Sequence, residues 1–244
     1  MSQSNPRLEG RLALVTGATS GIGRATAVAL AREGATVIAT GRRESELAEL
    51  LKACATLPGH IQSVAGDMAD TAFVQRLAAD SSRADILCAN AGTCTYAPFL
   101  ELTTDEIEAM FRVNVISTTH LLQAMARAMA ERKAGHIVVM TSIAAREIYR
   151  FGSVYSATKH ALTAIVQSMR LELRSARVKI TEVRTGTVAT AVHNAVKHPA
   201  VLKAFAARTY APLTPEEVAE TVVQALTAPA NLSTELIEMR PVGS

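Results

Sequence analysis

"RLALVTGATSGIGRATAVALAREGATVIATGRR", residues 11–43, sets out an apolar run, a glycine-rich turn, a helical pattern and a second apolar run in unbroken order. The aliphatic run at 11–16 reads as a strand, and 21–34 as a helix closing on Gly34. Residues 35–40 form the next strand. Two nearly all-apolar strands joined by a helix make a βαβ unit, which lies parallel and is covered on both faces.

The alternation continues to the end of the chain. A helix runs through 44–55, a strand through 60–66, a helix around 70–81 and a strand through 84–90. Helices at 103–112 and 115–132 follow, with Asn114 at the break between them. The first opens on Thr103 with Glu106 three residues later, a capping-box pattern. A strand at 136–142, a long helix at 154–175 and a strand at 178–184 come next. Thr214-Pro215-Glu216-Glu217 starts a last helix with a cap, a proline and a glutamate in order, and 235–240 is the final strand. This is an α/β, doubly wound Rossmann fold, with a parallel sheet of about seven strands and helices on both faces. No repeat or linker interrupts it, so residues 1–244 form one domain. The run at 185–214 exceeds ordinary loop length, so it is functional or partly helical. Its 187–213 portion is the candidate substrate loop.

Composition narrows the function. With 244 residues, 49% hydrophobic, the chain can bury a substantial core. A net charge of +3 without long like-charge runs leaves no footprint for nucleic acid or a membrane surface. The start lacks the apolar core of a signal peptide, and no apolar stretch is long enough to span a bilayer. Cys54, Cys88 and Cys94 show no metal-ligand spacing and read as reduced thiols of a cytoplasmic protein, with no metal expected.

Chemistry enters at the glycine turn. Gly17, Gly21 and Gly23, with Thr19, Ser20 and Ile22 between them, lie where the first strand meets the first helix. Glycines there let the backbone approach a pyrophosphate, while the helix offers its positive N-terminus. The spacing is G-x-x-x-G-x-G rather than G-x-G-x-x-G. In dinucleotide folds, the residue ending the second strand faces the adenosine ribose. This chain has Gly41 there, then Arg42 and Arg43, with no carboxylate. A guanidinium fork fits a phosphate bidentately, so Arg42 predicts the 2′-phosphate of NADP(H). Arg43 is either a second phosphate contact or a solvated helix-start residue.

Tyr155 and Lys159 are four apart on one helix and share a face. A phenol with pKa about 10 needs help to serve as an acid or base at neutral pH, and a lysine one turn away supplies charge that favours the phenolate. Ser142 ends the fifth strand, where a hydroxyl can polarise a carbonyl oxygen. Asn114's amide is placed to hold a backbone or a water.

"TGATSGIG", Asn90-Ala91-Gly92, Asn114, Ser142 and "YSATK", in this order and over nearly the whole chain, resemble the classical short-chain dehydrogenase/reductases. The resemblance implies a catalytic set of Asn114, Ser142, Tyr155 and Lys159. Tyr155 is the general acid for carbonyl reduction and the base in reverse. Ser142 orients the substrate oxygen, Lys159 binds the nicotinamide ribose and lowers the tyrosine pKa, and Asn114 holds a relay water. It further implies cofactor contacts from Asp67 and Met68, from Asn90, Ala91 and Gly92, and from Gly186, Val188 and Thr190. Where this family typically carries Pro-Gly after the sixth strand, Thr185-Gly186 stands here, and a freer turn is expected. "VIATGRR", "LTPEEVAETV" and "ELIEMRPVGS" look like the branch containing NADP-dependent 3-hydroxy acid (serine/allo-threonine) dehydrogenases. A general ketone or hydroxysteroid-like carbonyl reductase is the alternative, and a non-catalytic NADP-binding scaffold or sensor a further one.

Substrate contacts are expected from Ser142, Ala144, Arg146, Tyr149 and Tyr155. Arg146 and Arg150 are either a carboxylate clamp or exposed loop residues. Tyr149, Phe151, Val192 and Phe205 are either an apolar wall or ordinary packing, and His193 and His198 read as solvent-facing. The alanine and leucine faces of the helices at 115–132 and 153–175 exceed what one sheet face needs. The resemblance implies a homotetramer, or a homodimer, built on them.

Overall fold

Seven short strands pair in the order β3-β2-β1-β4-β5-β6-β7, all parallel. They are β1 (Leu12–Thr16), β2 (Thr36–Gly41), β3 (His60–Ala65), β4 (Ile86–Ala89), β5 (Gly135–Met140), β6 (Val178–Thr185) and β7 (Leu236–Met239). The computed structural model describes residues 6–190, 196 and 198–244. The strand order reverses between β1 and β4, and a doubly wound sheet opens its ligand crevice at that point.

Side chains alternate along each strand, so one sheet feeds two cores. Val15, Val37 and Val138 enter one, against Leu30 of α1 (Gly21–Arg32), Leu47 and Leu50 of α2 (Glu44–Ala53), and Val218 and Val222 of α8 (Pro215–Leu226). Their neighbours Leu14, Ile38, Ile137 and Val139 enter the other. There they meet α3 (Thr71–Asp80), α5 (Thr118–Glu131) and α6 (Ser153–Leu173). Each fully buried leucine contributes about 2 kcal/mol. The capping boxes expected at Thr103/Glu106 and Thr214/Glu217 are both formed.

The structure departs from the sequence reading at Asn114. The two expected helices do not break there. α4 (Thr104–Phe111) passes through a π-helical turn, Arg112–Ser117, directly into α5. The Thr118 hydroxyl donates to the Val113 carbonyl at 2.9 Å, which satisfies an acceptor in the widened turn. The long loop contains α7 (Pro199–Ala206), as its length suggested. Among the described residues, no helix is long and apolar enough to cross a membrane.

β5 carries a buried histidine at its start. His136 is 7% exposed, with Nε2 2.8 Å from the Thr181 hydroxyl oxygen. Thr181 donates its only proton to the Thr234 carbonyl, so the imidazole Nε2–H donates to Thr181. Burial, helped by the Lys179 charge, pulls His136 down to about 4. Between pH 6.5 and 4 the unfolded chain therefore holds a proton that the folded chain excludes, and stability falls as pH falls through that window. In urea unfolding at pH 7 and 4.5, wild type should lose about 2–3 kcal/mol more than His136→Gln. Equal losses would show that His136 does not titrate as its burial dictates.

Candidate active site

A single cleft of about 1300 Å³ runs along the carboxyl ends of the strands, from Arg42, Arg43 and Asp67 across the glycine turn to Tyr155 and Lys159. It also takes in the 143–151 loop and α7. That space exceeds what a drug-sized ligand fills. Among the described residues, no group of three or more His, Cys, Asp or Glu could hold a metal ion.

The glycine turn is built for close backbone approach. Gly17 has φ +69, a left-handed conformation, and a side chain there would meet Asn90 Nδ2 at 2.9 Å. A Cβ on Gly23 would lie 2.4 Å from both the Gly17 carbonyl oxygen and Asn90 Nδ2, so the first turn of α1 packs directly on the loop. Thr16 closes the turn from below. Its hydroxyl accepts from the Asn90 and Ala91 amides at 3.0 and 2.9 Å, and Asn90 Nδ2 donates to its carbonyl at 3.0 Å. Asn90 is thus a structural tie between β1 and β4 as well as part of the cleft wall. Ser20 caps α1 without a side-chain bond, and its first turn carries no acidic residue, which leaves that N-terminus open to an anion. Thr190 seals the far side, 2.9 Å from where a Gly21 side chain would begin. Thr19, Ile22, Met68, Gly92, Gly186 and Val188 also line the cleft.

The two arginines have different duties. Arg43 donates to the Thr19 carbonyl at 3.2 Å and lies 3.9 Å from Glu46, so it braces the glycine turn. Arg42 is 72% exposed, with Nη1 3.8 Å from Asp67, a separation worth little energy in water. Asp67 itself is held by the Ala69 amide at 2.9 Å. Arg42 is thus the more loosely held of the two guanidiniums.

At the other end, α6 delivers Tyr155 and Lys159 together. Lys159 is 6% exposed, and its ammonium donates to the Met140 carbonyl at 3.1 Å. Burial pulls it down to about 8. Its Nζ lies 5.6 Å from the Tyr155 ring centroid. The Ser142 hydroxyl hydrogen-bonds the Tyr155 phenol, accepts from the Ala144 amide at 3.1 Å and reaches the Thr185 carbonyl at 3.3 Å. One expectation is corrected here. Tyr155 is raised above its ordinary value, not lowered, because burial, followed by the nearby Cys94 thiol, outweighs the hydrogen bond with Ser142.

Asn114 holds a backbone segment, one of the two roles open to its amide. Its amide is committed to protein: Oδ1 accepts from the Thr93 amide at 2.8 Å. Nδ2 donates to the Thr93 carbonyl at 2.8 Å and to the Thr158 hydroxyl at 3.1 Å. Thr158 in turn donates to the Tyr155 carbonyl at 2.7 Å. Asn114 therefore ties the loop after β4 to the turn of α6 that carries Tyr155. Thr185 belongs to the strand that precedes the neighbouring turn. It is buried as the last residue of β6, in register with Met239.

Arg146 is not part of the cleft wall. It pairs with Glu147 at 3.1 Å and Glu238 at 3.0 Å. Glu147 does line the cleft and is held down to about 2, chiefly by hydrogen bonds from Arg240 and Tyr149. Burial and that bond push Tyr149 up to about 12. Ala144, Tyr149, Arg150, Phe151 and Phe205 line the cleft as expected. Val192 and His193 lie outside the described residues. His198 is not merely solvent-facing: it caps α7 by accepting from the Ala200 amide, and it pairs with Glu101 at 3.1 Å. Tyr96 lies in the segment 93–99, from which substrate contacts are expected, and its ring packs against Tyr155 with centroids 5.8 Å apart. Glu147 and Arg208 fall in the segments 143–151 and 187–210 from which substrate contacts are expected, without being singled out there, and Arg240 comes from a segment remote in sequence from the tyrosine.

The chain is similar to known proteins along most of its length. Residues 11–200 match the short chain dehydrogenase family. An uncharacterised oxidoreductase of Staphylococcus aureus is 32% identical over 239 residues, covering 96% of this chain and 99% of its own. The crystal structure of a putative NAD(P)-dependent gluconate 5-dehydrogenase from Beutenbergia cavernae, with bound NADP, is 30% identical, with a TM-score of 0.85 and 96% of each chain covered. The closed form of a serine dehydrogenase complexed with NADP+ is 30% identical, with a TM-score of 0.83 over 93% of this chain and 94% of that one. The chain belongs to the short chain dehydrogenase family and is an NAD(P)-dependent oxidoreductase.

Proposed function

We propose that the protein is an NADP(H)-dependent reductase that interconverts a ketone and a secondary alcohol. The convergence of Tyr155, Ser142 and Lys159 at one end of a cleft whose other end holds Arg42 carries this reading. The cofactor fits the residues present: a left-handed glycine turn, an uncapped helix N-terminus and an exposed guanidinium at the ribose position. When bound, it supplies or accepts the hydride. Arg42 holds the 2′-phosphate, and Lys159 holds the nicotinamide ribose.

The chain's own work is proton transfer and orientation. Ser142 donates a hydrogen bond to the substrate oxygen. Tyr155 gives its phenolic proton to that oxygen during reduction and takes it back during oxidation. A raised pKa keeps the phenol protonated, the form that reduction needs. The Lys159 charge stabilises the phenolate that follows, and Asn114 fixes the helical turn beneath it. A sensor without chemistry would have no use for this placement.

On the substrate, the likeness to a serine dehydrogenase supports a small 3-hydroxy acid. The clamp which that reading needs is weakened, because Arg146 is spent on Glu147 and Glu238. The Tyr96 and Phe205 rings, stacked edge to face at 5.3 Å, favour the alternative of a larger ketone with apolar bulk. The three cysteines are unpaired in the fold, which suits a reducing cytoplasm. Leu171 of α6, 71% exposed, and Ile116 of the π turn that leads into α5, 40% exposed, support a homotetramer. Light scattering at micromolar concentration should give four chain masses, and a monomer would contradict it.

NADP(H) should bind more tightly than NAD(H), and Arg42→Ala should shrink that gap about ten- to a hundred-fold, the worth of one charge-assisted contact. Equal affinity for the two cofactors in wild type would refute the phosphate assignment. With NADPH and a panel of ketones, Tyr155→Phe should lower turnover by about 10²–10⁴-fold while cofactor binding survives. Near-normal turnover in that variant would remove the proton-transfer role.

A further inference from the structure

Beyond the reacting centre, the cleft wall continues as a run of aromatic rings ending in a cation. Tyr155 packs against Tyr96, and Tyr96 meets Phe205 edge to face. The Arg208 guanidinium then lies 3.9 Å from the Phe205 centroid. Its charge also reaches the Tyr96 phenol. Arg208 is half-buried and lines the cleft, yet it makes no ion pair among the described residues. The residues outside the description contain no aspartate or glutamate. A guanidinium partly withdrawn from water is costly unless paired, and stacking on a ring offsets only part of that cost.

The neighbouring charges reinforce the imbalance. Lys203 and Arg150 line the same end and are exposed without ion pairs among the described residues. Glu147, the carboxylate in that wall, is already occupied by Arg240 and Arg146. Glu101 does not line the cleft and lies 3.1 Å from His198 Nε2. The field at this end is therefore positive, and of its two ring-stacked guanidiniums, Arg150 at 4.8 Å from the Phe151 centroid and Arg208 at 3.9 Å from that of Phe205, Arg208 is the half-buried one.

We infer that Arg208 is an anion subsite, and that the substrate is a ketone whose carboxylate, or comparable anionic group, is separated from the carbonyl by an apolar spacer lying along Tyr96 and Phe205. This rests on the ketone-reductase reading and refines it: an acid adjacent to the reacting carbon would leave Arg208 out of reach, beyond two rings. Lys203 and Arg150 then act as a diffuse attraction at the mouth, because solvated cations give little discrimination.

Binding to the NADP+-loaded protein tests this without requiring turnover. By calorimetry, a graded series from acetoacetate to 7-oxooctanoate would be compared with the corresponding methyl esters. The longer keto acids should bind about ten- to a hundred-fold more tightly than their esters, with no such preference for acetoacetate. In Arg208→Gln, checked for an unchanged melting temperature, the preference of acid over ester should collapse. The subsite is overturned if that preference persists in the variant, peaks at acetoacetate, or is absent because wild type binds no member of the series. NADPH oxidation with the same compounds separates the two claims. An Arg208-dependent preference with no ketone reduced would refute the reductase reading and leave the subsite standing, whereas reduction without that preference would do the reverse.

Discussion

A lysine ammonium buried at the end of a sheet is the constraint on which this site depends. Lys159 has the Met140 carbonyl as its hydrogen-bond acceptor and no carboxylate beside it among the described residues. Burial that moves its pKa from 10.5 to about 8 costs about 3 kcal/mol at neutral pH, relieved only as pH rises past 8. A globular fold could recover that energy by placing a methionine there. Holding a desolvated cation one helical turn from a desolvated phenol makes sense for chemistry in which the phenol loses a proton and the cation meets the charge left behind.

Such a pair has to be held rigidly, and two buried networks do so. Above, Asn114 in its π-helical turn joins Thr93 to Thr158, and Thr158 joins Tyr155. Below, Glu182 of β6 is 1% exposed and accepts from Thr141 at 2.9 Å, Thr163 at 2.5 Å and Arg184 at 2.8 Å. Burial acts to raise its pKa, but hydrogen bonds from Arg184, Thr163 and Thr141 more than offset this and hold the carboxylate ionised. Thr141 precedes Ser142, and Thr163 lies one turn past Lys159, so this carboxylate pins strand and helix just beneath the reacting groups. At the opposite end, Thr16 and Asn90 tie β1 to β4 and Arg43 braces the glycine turn, which leaves Arg42 with its guanidinium to spare.

Periodicity and turn chemistry made the fold legible, because apolar alternation and glycine spacing are local signals. The strand–turn–helix of residues 11–43, both capping boxes and the Tyr155/Lys159 face follow from neighbours in sequence. What escaped depends on partners far along the chain. Asn114 looked like a helix break because its neighbours suggest one, whereas a π turn and Thr158 absorb it. Arg146 looked like a substrate clamp until Glu238, from the last strand, claimed it. Thr185 looked like part of the turn until pairing with Met239 made it strand. Glu182 carried no local mark at all, and Arg208 was marked only by lying within the long loop read as the substrate segment. Solvation was illegible too: proximity to Lys159 predicts a lowered tyrosine pKa, and only the packing around the phenol shows that desolvation prevails.

The most direct test is the titration of Lys159 itself. In protein with isotopically labelled lysine side chains, the Nζ signal absent from Lys159→Arg would be followed by NMR from pH 6 to 11. A midpoint near 8 would establish a desolvated ammonium poised beside Tyr155. A midpoint near the ordinary 10.5 would show a solvated lysine and contradict the account of the site built on it.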